Sequence, residues 1–226
     1  MPSYPPPATE LLDACIEVFR REHHNITLFG NSVREFFSTH PKLTSGDLPT
    51  IHSVKGRIKS EGHLREKIVR KKVADNRDIG PHNLLAEVTD LFGVRVLHLY
   101  LEQFPEIHQA IMQHVSNGHW TLFEPPNAYT WDPEFQTFFN GIGIETKTKE
   151  SNYTSVHYVV RPNNTSSLTC EIQVRTLFEE VWGEIDHAIN YPAETSNMAS
   201  KEQIRVLAKI VGAGTRLATS IFRTRG

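Results

Sequence analysis

The sequence lacks several features that would point to particular classes of protein. Its only cysteines, Cys15 and Cys170, are far apart and have apolar neighbours, which indicates buried thiols in a reducing compartment rather than a disulfide framework. No apolar run approaches the roughly 18 residues that a membrane-spanning helix needs. The first residues, MPSYPPPATE, have neither the basic nor the apolar region of a secretory signal. We therefore expect a cytoplasmic protein that makes no membrane contact.

Familiar nucleotide and metal motifs are also missing. No glycine precedes a lysine, which excludes the phosphate-binding loop of P-loop proteins, and neither HExxH nor CxxC occurs. None of the 12 histidines is followed by aspartate, so a His-Asp metal motif is absent as well. The formal net charge is −2 and the pI is near 6.6, which argues against a protein coated with basic residues for binding nucleic acid.

The chain is long enough, and apolar enough, to form a packed core. It has 226 residues, of which 38% are hydrophobic and 22% are charged, as in a globular domain. Apolar periodicity predicts an α/β (α+β) protein with a mixed sheet flanked by helices. The predicted helices cover 9–22, 26–39, the second half of 55–72, 82–91, 103–116, 177–190 and 200–223, and the predicted strands cover 94–101, 142–149, 155–161 and 168–176. Residues 117–141 show no clean period, which predicts an irregular insertion.

A block of positive charge occupies residues 55–72. It contains eight basic residues against two acids, so its net charge is +6 while the rest of the chain carries −8. Such a block on an acidic protein favours a local polyanion as ligand, although a solvated helix face is the simpler reading. Two groups of cations could converge on a triphosphate, because arginine offers paired contacts and lysine a compact charge. These cations include Arg57, Lys59, Lys67, Arg70 and Lys71.

Two acids lie close to predicted central strands. Asp90 precedes the strand at 94–101, where it could cap a turn or bind a hard cation. In LTCEIQVRT (168–176), alternate residues face opposite sides of the strand, so Glu171, Gln173 and Arg175 form a polar row. A polar row on a buried strand is costly unless it lines a site. Asp90 and Glu171 could therefore hold Mg²⁺, which usually takes one or two carboxylates together with phosphate oxygens.

Aromatic and basic residues flank the strand at 155–161. Tyr153 could stack on a nucleobase, a contact worth roughly 1–3 kcal/mol, or it could be an ordinary aromatic at a strand edge. Lys149 and His157 lie on either side of it. On the helix at 177–190, Glu180, Glu184 and His187 share the face opposite Trp182.

Taken in order, four segments resemble the synthetase domain of the RelA/SpoT family, the alarmone (p)ppGpp synthetases. The first two are the basic segment GRIKSEGHLREKIVRK (56–71) and the strand DLFGVRV (90–96). The other two are KESNYTSVHYVV (149–160) and EIQVRTLFEEVWGEIDHAINY (171–191). The resemblance spans about 50–191, and the four motifs together are highly specific. It implies a sheet of the nucleotidyltransferase-like type within 49–191, with helical extensions at 1–48 and 192–226.

The resemblance also implies an activity and a role for each matching residue. The reaction would transfer the β,γ-pyrophosphate of ATP to the ribose 3′-OH of GDP or GTP and release AMP, with Mg²⁺ as cofactor and without a hydrolase domain. Asp90 and Glu171 would bind the metal, and Glu171 would help to deprotonate the 3′-OH. The ATP phosphates would be held by Arg57, Lys59, Lys67, Arg70 and Lys71, and the acceptor by Lys149, Tyr153 and His157. Supporting roles would fall to Arg95, Gln173, Arg175 and His187.

Departures from the family pattern leave alternatives open. The usual Gly-Tyr-Arg is Asn152-Tyr153-Thr154 here, so a cation beside the acceptor is missing, and the usual Glu-His is Asp186-His187. The same chemistry could therefore act on an adenine nucleotide or on the 3′ end of tRNA, as in toxin-type members. A non-catalytic protein that binds RNA through 55–72 is a further alternative. Assembly into a homo-oligomer and an antitoxin partner are compatible with the sequence.

Overall fold

The structure is a computed structural model, and it describes residues 9–149, 152–190 and 194–225. Within these residues the helices are α1 (Thr9–Thr39), α2 (Glu61–Val73), α3 (Leu84–Glu87), α4 (Phe104–Ser116), α5 (Pro133–Gly141), α6 (Leu177–Asn190) and α7 (Met198–Arg225). The strands are β1 (Ser53–Ile58), β2 (Phe92–His98), β3 (Thr121–Tyr129), β4 (Glu145–Lys147), β5 (Ser155–Arg161) and β6 (Cys170–Thr176). This arrangement confirms the predicted mixed sheet with flanking helices.

The described strands form a mixed sheet in the order β1-β2-β6-β5-β3-β4. Strands β2 and β6 are parallel neighbours, whereas β1 and β5 run antiparallel to them on either side. Gly93 lies opposite Glu171, and Gln173 lies opposite both Arg95 and His157. Because side chains alternate along a strand, this register collects the polar positions of four strands on one face of the sheet.

The other face of the sheet carries the main hydrophobic core. Val94, Val96, Ile172 and Val174 are buried there, and α1 packs against β1 and β2. The approach of α1 is close, because a Cβ atom on Gly30 would lie 2.1–2.4 Å from ring atoms of Phe92. Glycine at this position therefore sets the distance between helix and sheet.

Helix α1 is continuous, although the sequence predicted two helices, at 9–22 and 26–39. The polar residues His23, His24 and Asn25 interrupt the apolar pattern without breaking the helix, since they occupy its more exposed side. Buried Phe19, Ile26 and other apolar residues continue the inner face across this segment. The apolar face of α1 therefore continues with helical spacing through 23–25, where the polar residues of the sequence suggested that a helix ends.

The prediction that 117–141 is an irregular insertion was wrong. This stretch supplies β3, which pairs with β4 and β5 inside the sheet, and α5. Strand β3 contains Pro125 and Pro126, and its pairing with β5 shifts register at two places, so no two-residue alternation is visible in the sequence. The side chain of Asp132 accepts a hydrogen bond from the Glu134 amide and thereby caps α5.

Other element boundaries also changed. Strand β1 was not predicted as such, because most of its residues are polar or exposed. Helix α3 is much shorter than the predicted 82–91, and β4 is shorter than 142–149. The predicted elements at 155–161 and 177–190 are confirmed with those bounds. The predicted domain boundary at 191–192 lies outside the described residues.

A second, smaller apolar cluster joins α6 to α7. Trp182 packs with Ile204, Ala208 and Val211, and its indole Nε1 donates a hydrogen bond to the carbonyl of Ile204 at 3.0 Å. This cluster holds α6 beside the polar face of the sheet. Among the described helices, none combines the length and apolar character needed to cross a membrane.

Candidate active site

A cleft of about 410 Å³ opens on the polar face of the sheet, where β1, β2 and β6 lie side by side. The backbone amide of Lys59 donates to the carbonyl of Leu91 at 2.8 Å, which places the end of β1 beside the residue that precedes β2. The cleft thereby gathers many of the residues predicted for the site. They are Arg57, Lys59, Asp90, Arg95, Glu171 and Gln173.

Asp90 lies between two lysines. Its Oδ2 is 3.1 Å from Nζ of Lys59 and 2.6 Å from Nζ of Lys67, which reaches the site from α2. The side chain of Ser60 accepts a hydrogen bond from the amide of His63 and so fixes the start of α2. The Oδ1 atom of Asp90 is buried and has no hydrogen-bond partner among the described residues. A buried oxygen of this kind is able to take a cation.

Glu171 is held through both of its carboxylate oxygens. Oε1 lies 3.1 Å from Nδ1 of His157, and Oε2 accepts a hydrogen bond of 2.6 Å from Nε2 of Gln173. Burial on its own would raise the pKa of Glu171, but His157 and the bond from Gln173 outweigh it and lower that pKa. Glu171 is therefore a fixed carboxylate at neutral pH.

A second cleft, of about 230 Å³, adjoins the first and shares Arg95 and Gln173 with it. Tyr153, Arg175 and His187 also line this second cleft. The hydroxyl of Tyr153 is 2.9 Å from Nε2 of His157, whose other ring nitrogen contacts Glu171. His157 thus connects the aromatic wall of the second cleft to the carboxylate of the first.

Lys149 lies over two aromatic rings. Its Nζ is 4.0 Å from the ring centre of Tyr129 and 4.7 Å from that of Tyr153, which are distances of cation–π contacts. Burial lowers the pKa of Lys149, and the neighbouring cations Lys67 and Arg70 act in the same direction. Lys149, Tyr153 and His157 therefore lie close together, and their role in binding the acceptor stays a prediction.

Two of the predicted phosphate ligands, Arg70 and Lys71, are not among the residues that line the larger cleft. Arg70 is exposed on α2. Lys71 donates a hydrogen bond of 2.7 Å to the backbone carbonyl of Glu87, which joins α2 to α3. Burial lowers the pKa of Lys71. The roles of Arg70 and Lys71 in binding ATP stay predictions.

Sequence reasoning missed two contributors to the site. Glu180 of α6 forms ion pairs with Lys55 at 2.9 Å and Arg95 at 3.2 Å, and Tyr129 belongs to the stretch that was taken for an insertion. A signal for Glu180 was present, since it shares one helix face with Glu184 and His187. No signal in the sequence placed that face over the polar row of β6, because the pairing depends on how α6 packs.

The sequence is similar to proteins of one known family. Residues 56–196 match the family described as "Region found in RelA / SpoT proteins". The GTP pyrophosphokinase YjbM of Bacillus subtilis (strain 168) is 25% identical over 185 residues, which cover 80% of this chain and 74% of the relative.

Solved structures show the same fold. The small alarmone synthetase 1 from Bacillus subtilis superposes with a TM-score of 0.66 and 20% identity, covering 93% of this chain and 97% of that chain. The same synthetase bound to its product pppGpp superposes with a TM-score of 0.58 and 22% identity, covering 92% of this chain and 93% of that chain. A GTP pyrophosphokinase family protein from Streptococcus pneumoniae superposes with a TM-score of 0.65 and 19% identity, covering 91% of each chain. Because residues 56–196, more than half of the chain, match this family, the chain belongs to the RelA/SpoT family.

Proposed function

We propose that the protein is an ATP-dependent nucleotide pyrophosphokinase. It transfers the β,γ-pyrophosphate of ATP to the ribose 3′-OH of GDP or GTP, forming (p)ppGpp and releasing AMP. The observation that carries the proposal is the pair of carboxylates, Asp90 and Glu171, in a cleft rich in cations that opens into an aromatic cleft. The name of the Bacillus subtilis relative, GTP pyrophosphokinase, supports it.

The larger cleft suits the triphosphate of ATP. Transfer of a phosphoryl-type group depends on in-line positioning and on neutralising charge, with little need for covalent help. Arg57, Lys59 and Arg95 supply fixed positive charge in this cleft, and Lys67 reaches Asp90 from α2. In this proposal they hold the pyrophosphoryl group while AMP departs.

Asp90 and Glu171 fit Mg²⁺ as two of its ligands. The described residues contain no group of three or more histidine, cysteine, aspartate or glutamate side chains arranged to hold a metal. The two carboxylates therefore suit an ion that takes its remaining ligands from substrate and water, as Mg²⁺ commonly does. The unpartnered Oδ1 of Asp90 supports this fit. Bound Mg²⁺ would neutralise charge that develops on the phosphate oxygens.

The second cleft suits the acceptor nucleotide. The ring of Tyr153 offers a stacking surface for the base, and Nζ of Lys149 lies over the same ring, 4.7 Å from its centre. In this proposal Glu171, which His157 and Gln173 hold in place, takes the proton of the 3′-OH as the bond to phosphorus forms.

A second candidate keeps the chemistry and changes the acceptor to an adenine nucleotide or the 3′ end of tRNA. Thr154 replaces the arginine of the family pattern, and its side chain is buried, with Oγ1 donating to Oγ1 of Thr130 at 3.4 Å. It therefore provides no charge for acceptor phosphates. A cytoplasmic location, a homo-oligomer and an antitoxin partner are further proposals.

The test is an acceptor panel with γ-labelled ATP and Mg²⁺, separated by thin-layer chromatography. We expect label to move onto GDP or GTP, and we expect Glu171→Gln to abolish the transfer. The matched control is Glu202→Gln, which changes an exposed glutamate on α7. Label on ADP, ATP or tRNA alone would favour the second candidate. Transfer that survives Glu171→Gln would contradict the assignment of the cleft.

A further inference from the structure

Glu180 is a buried carboxylate on which cations from neighbouring strands converge. Its residue exposure is 4%. One oxygen lies 2.9 Å from Nζ of Lys55 on β1 and 3.2 Å from Nη1 of Arg95 on β2, and the other lies 2.5 Å from Nη2 of Arg175 on β6. A single side chain of α6 thus contacts the basic residues of three adjacent strands.

This carboxylate is ionised at neutral pH. Burial on its own would raise the pKa of Glu180, but Arg175, Lys55 and Arg95 outweigh it and lower that pKa. Removing one member of a buried ion pair leaves an uncompensated charge, so the positions of its partners are strongly coupled to it. Among the three partners of Glu180, Lys55 is the most exposed, with 58% of its side chain accessible to solvent.

The two arginines that Glu180 contacts lie at critical places in the clefts, and Glu184 of α6 pairs with Arg95 as well. Arg95 lines both clefts and therefore stands at their boundary. Arg175 runs beneath α6, where a Cβ atom on Gly183 would come within 2.7 Å of its Nη1. Its guanidinium carbon is 5.9 Å from the ring centre of Tyr153, so it supports the predicted stacking surface from inside the protein.

We propose that Glu180 is a positioning residue of the transfer reaction: it fixes Arg95 at the boundary of the two clefts and Arg175 beside Tyr153. This inference rests on the proposed function. Glu180 is not among the residues that line either cleft, so in this proposal it acts through the two arginines, which set the donor phosphates and the acceptor in register. A displacement of about 1 Å at such a boundary can slow transfer by about a hundredfold without weakening nucleotide binding.

The contrasting explanation is that Glu180 only ties α6 to the sheet. That role predicts a loss of stability and of correctly folded protein, with normal turnover in each molecule that does fold. The measurement must therefore count competent sites. Calorimetric titration with the non-hydrolysable analogue AMPCPP gives this count, and initial rates with ATP and GDP then give kcat per site and both KM values.

For Glu180→Gln we expect kcat per site to fall between about tenfold and a hundredfold, with both KM values within about threefold of the wild type. Glu180→Asp keeps the charge on a shorter side chain, so it should recover part of the lost rate. Glu202→Gln, in an exposed ion pair with Arg205 on α7, is the matched control and should behave as the wild type. If Glu180→Gln fails to fold, Glu180→Asp carries the test alone, and its kcat per site should lie below that of the wild type with both KM values unchanged.

An unchanged kcat per site in Glu180→Gln would overturn the proposal, as would a rise in KM that accounts for the whole defect. A Glu180→Asp variant no better than Glu180→Gln would also count against positioning by charge. Failure of the proposed function looks different: the wild type would then bind AMPCPP and transfer nothing to any acceptor, and the role of Glu180 would fall with it.

Discussion

The two carboxylates of the larger cleft have contrasting surroundings. Glu171 uses both oxygens in contacts with His157 and Gln173, whereas Asp90 uses Oδ2 for Lys59 and Lys67 and leaves Oδ1 buried without a partner among the described residues. Asp90 therefore has the oxygen best suited to a cation, and Glu171 is the more firmly held of the two carboxylates.

Replacing Asp90 by asparagine tests this division at the scale of one residue. Asn keeps the shape of the side chain but removes the charge that a divalent cation needs, so we expect transfer to fall by about a hundredfold or more. The fold should persist, because Lys59 and Lys67 are partly exposed and can be solvated. Rates of AMP release and thermal unfolding measure the two effects.

The control for this variant is Asp78→Asn. Asp78 pairs with Lys72 at 3.6 Å and its side chain is 86% exposed, so the change should alter neither activity nor stability by much. If Asp90→Asn kept wild-type activity in Mg²⁺, its role as a metal ligand would be refuted.

Single residues of the site could be predicted from the sequence where the alternation of side chains along a strand assigns them to one face. Glu171, Gln173 and Arg175 lie on one face of β6 as expected, because side-chain direction in a strand follows from position alone. Glu180 could not be assigned a partner in this way. Its contact with Lys55 joins residues 125 positions apart and exists only after α6 has packed on the sheet.

At the scale of elements, the start of α6 is tied to α7 through a buried glutamate. The side chain of Glu179 accepts a hydrogen bond from the amide of Thr176, and the amide of Glu179 donates to Oγ1 of Thr176, which forms a reciprocal cap. Thr215 of α7 donates to Oε1 of Glu179 at 3.1 Å. Burial raises the pKa of Glu179 to about 7.

This pKa makes the junction of α6 and α7 sensitive to pH. The folded protein binds the proton of Glu179 more tightly than the unfolded chain does, so the free energy of unfolding falls as the pH rises from about 4.5 to about 7. The contribution of this group is on the order of 3 kcal/mol. Glu179→Gln stays uncharged and should remove this part of the pH dependence, because glutamine also serves in such a cap.

Denaturant unfolding of wild type and Glu179→Gln at several pH values measures the effect. The stability of the variant relative to the wild type should increase between about pH 5 and pH 8. Glu202→Gln, which changes an exposed side chain, should follow the wild type at every pH. Parallel pH curves for wild type and Glu179→Gln would contradict a raised pKa at this position.

Elements with regular patterns were predictable, and those that depend on their neighbours were not. Strand β5 and helix α6 follow their periodicities and were predicted with the bounds that the structure shows. Strand β3 was missed because Pro125, Pro126 and two shifts of register hide its alternation, and it becomes a strand by pairing with β5. Tyr129, at the end of β3, was lost from the predicted site for the same reason.

At the scale of the whole molecule, the two faces of one sheet have separate tasks. One face packs on α1 and forms the main core, while the other carries the two clefts and is bordered by α6 and α7. The basic block of 55–72 supplies β1 and α2, which bring positive charge to one side of the clefts in a protein of net charge −2. Charge is thereby concentrated where phosphates are proposed to bind.

In the proposed reaction, pyrophosphate leaves ATP as one unit and joins a nucleoside acceptor. Mass spectrometry of the products formed from ATP and GDP with Mg²⁺ tests this most directly. We expect AMP and a guanosine nucleotide that has gained two phosphates, in equal amounts. Accumulation of ADP with an acceptor that has gained one phosphate, or release of AMP and free pyrophosphate with the acceptor unchanged, would contradict it.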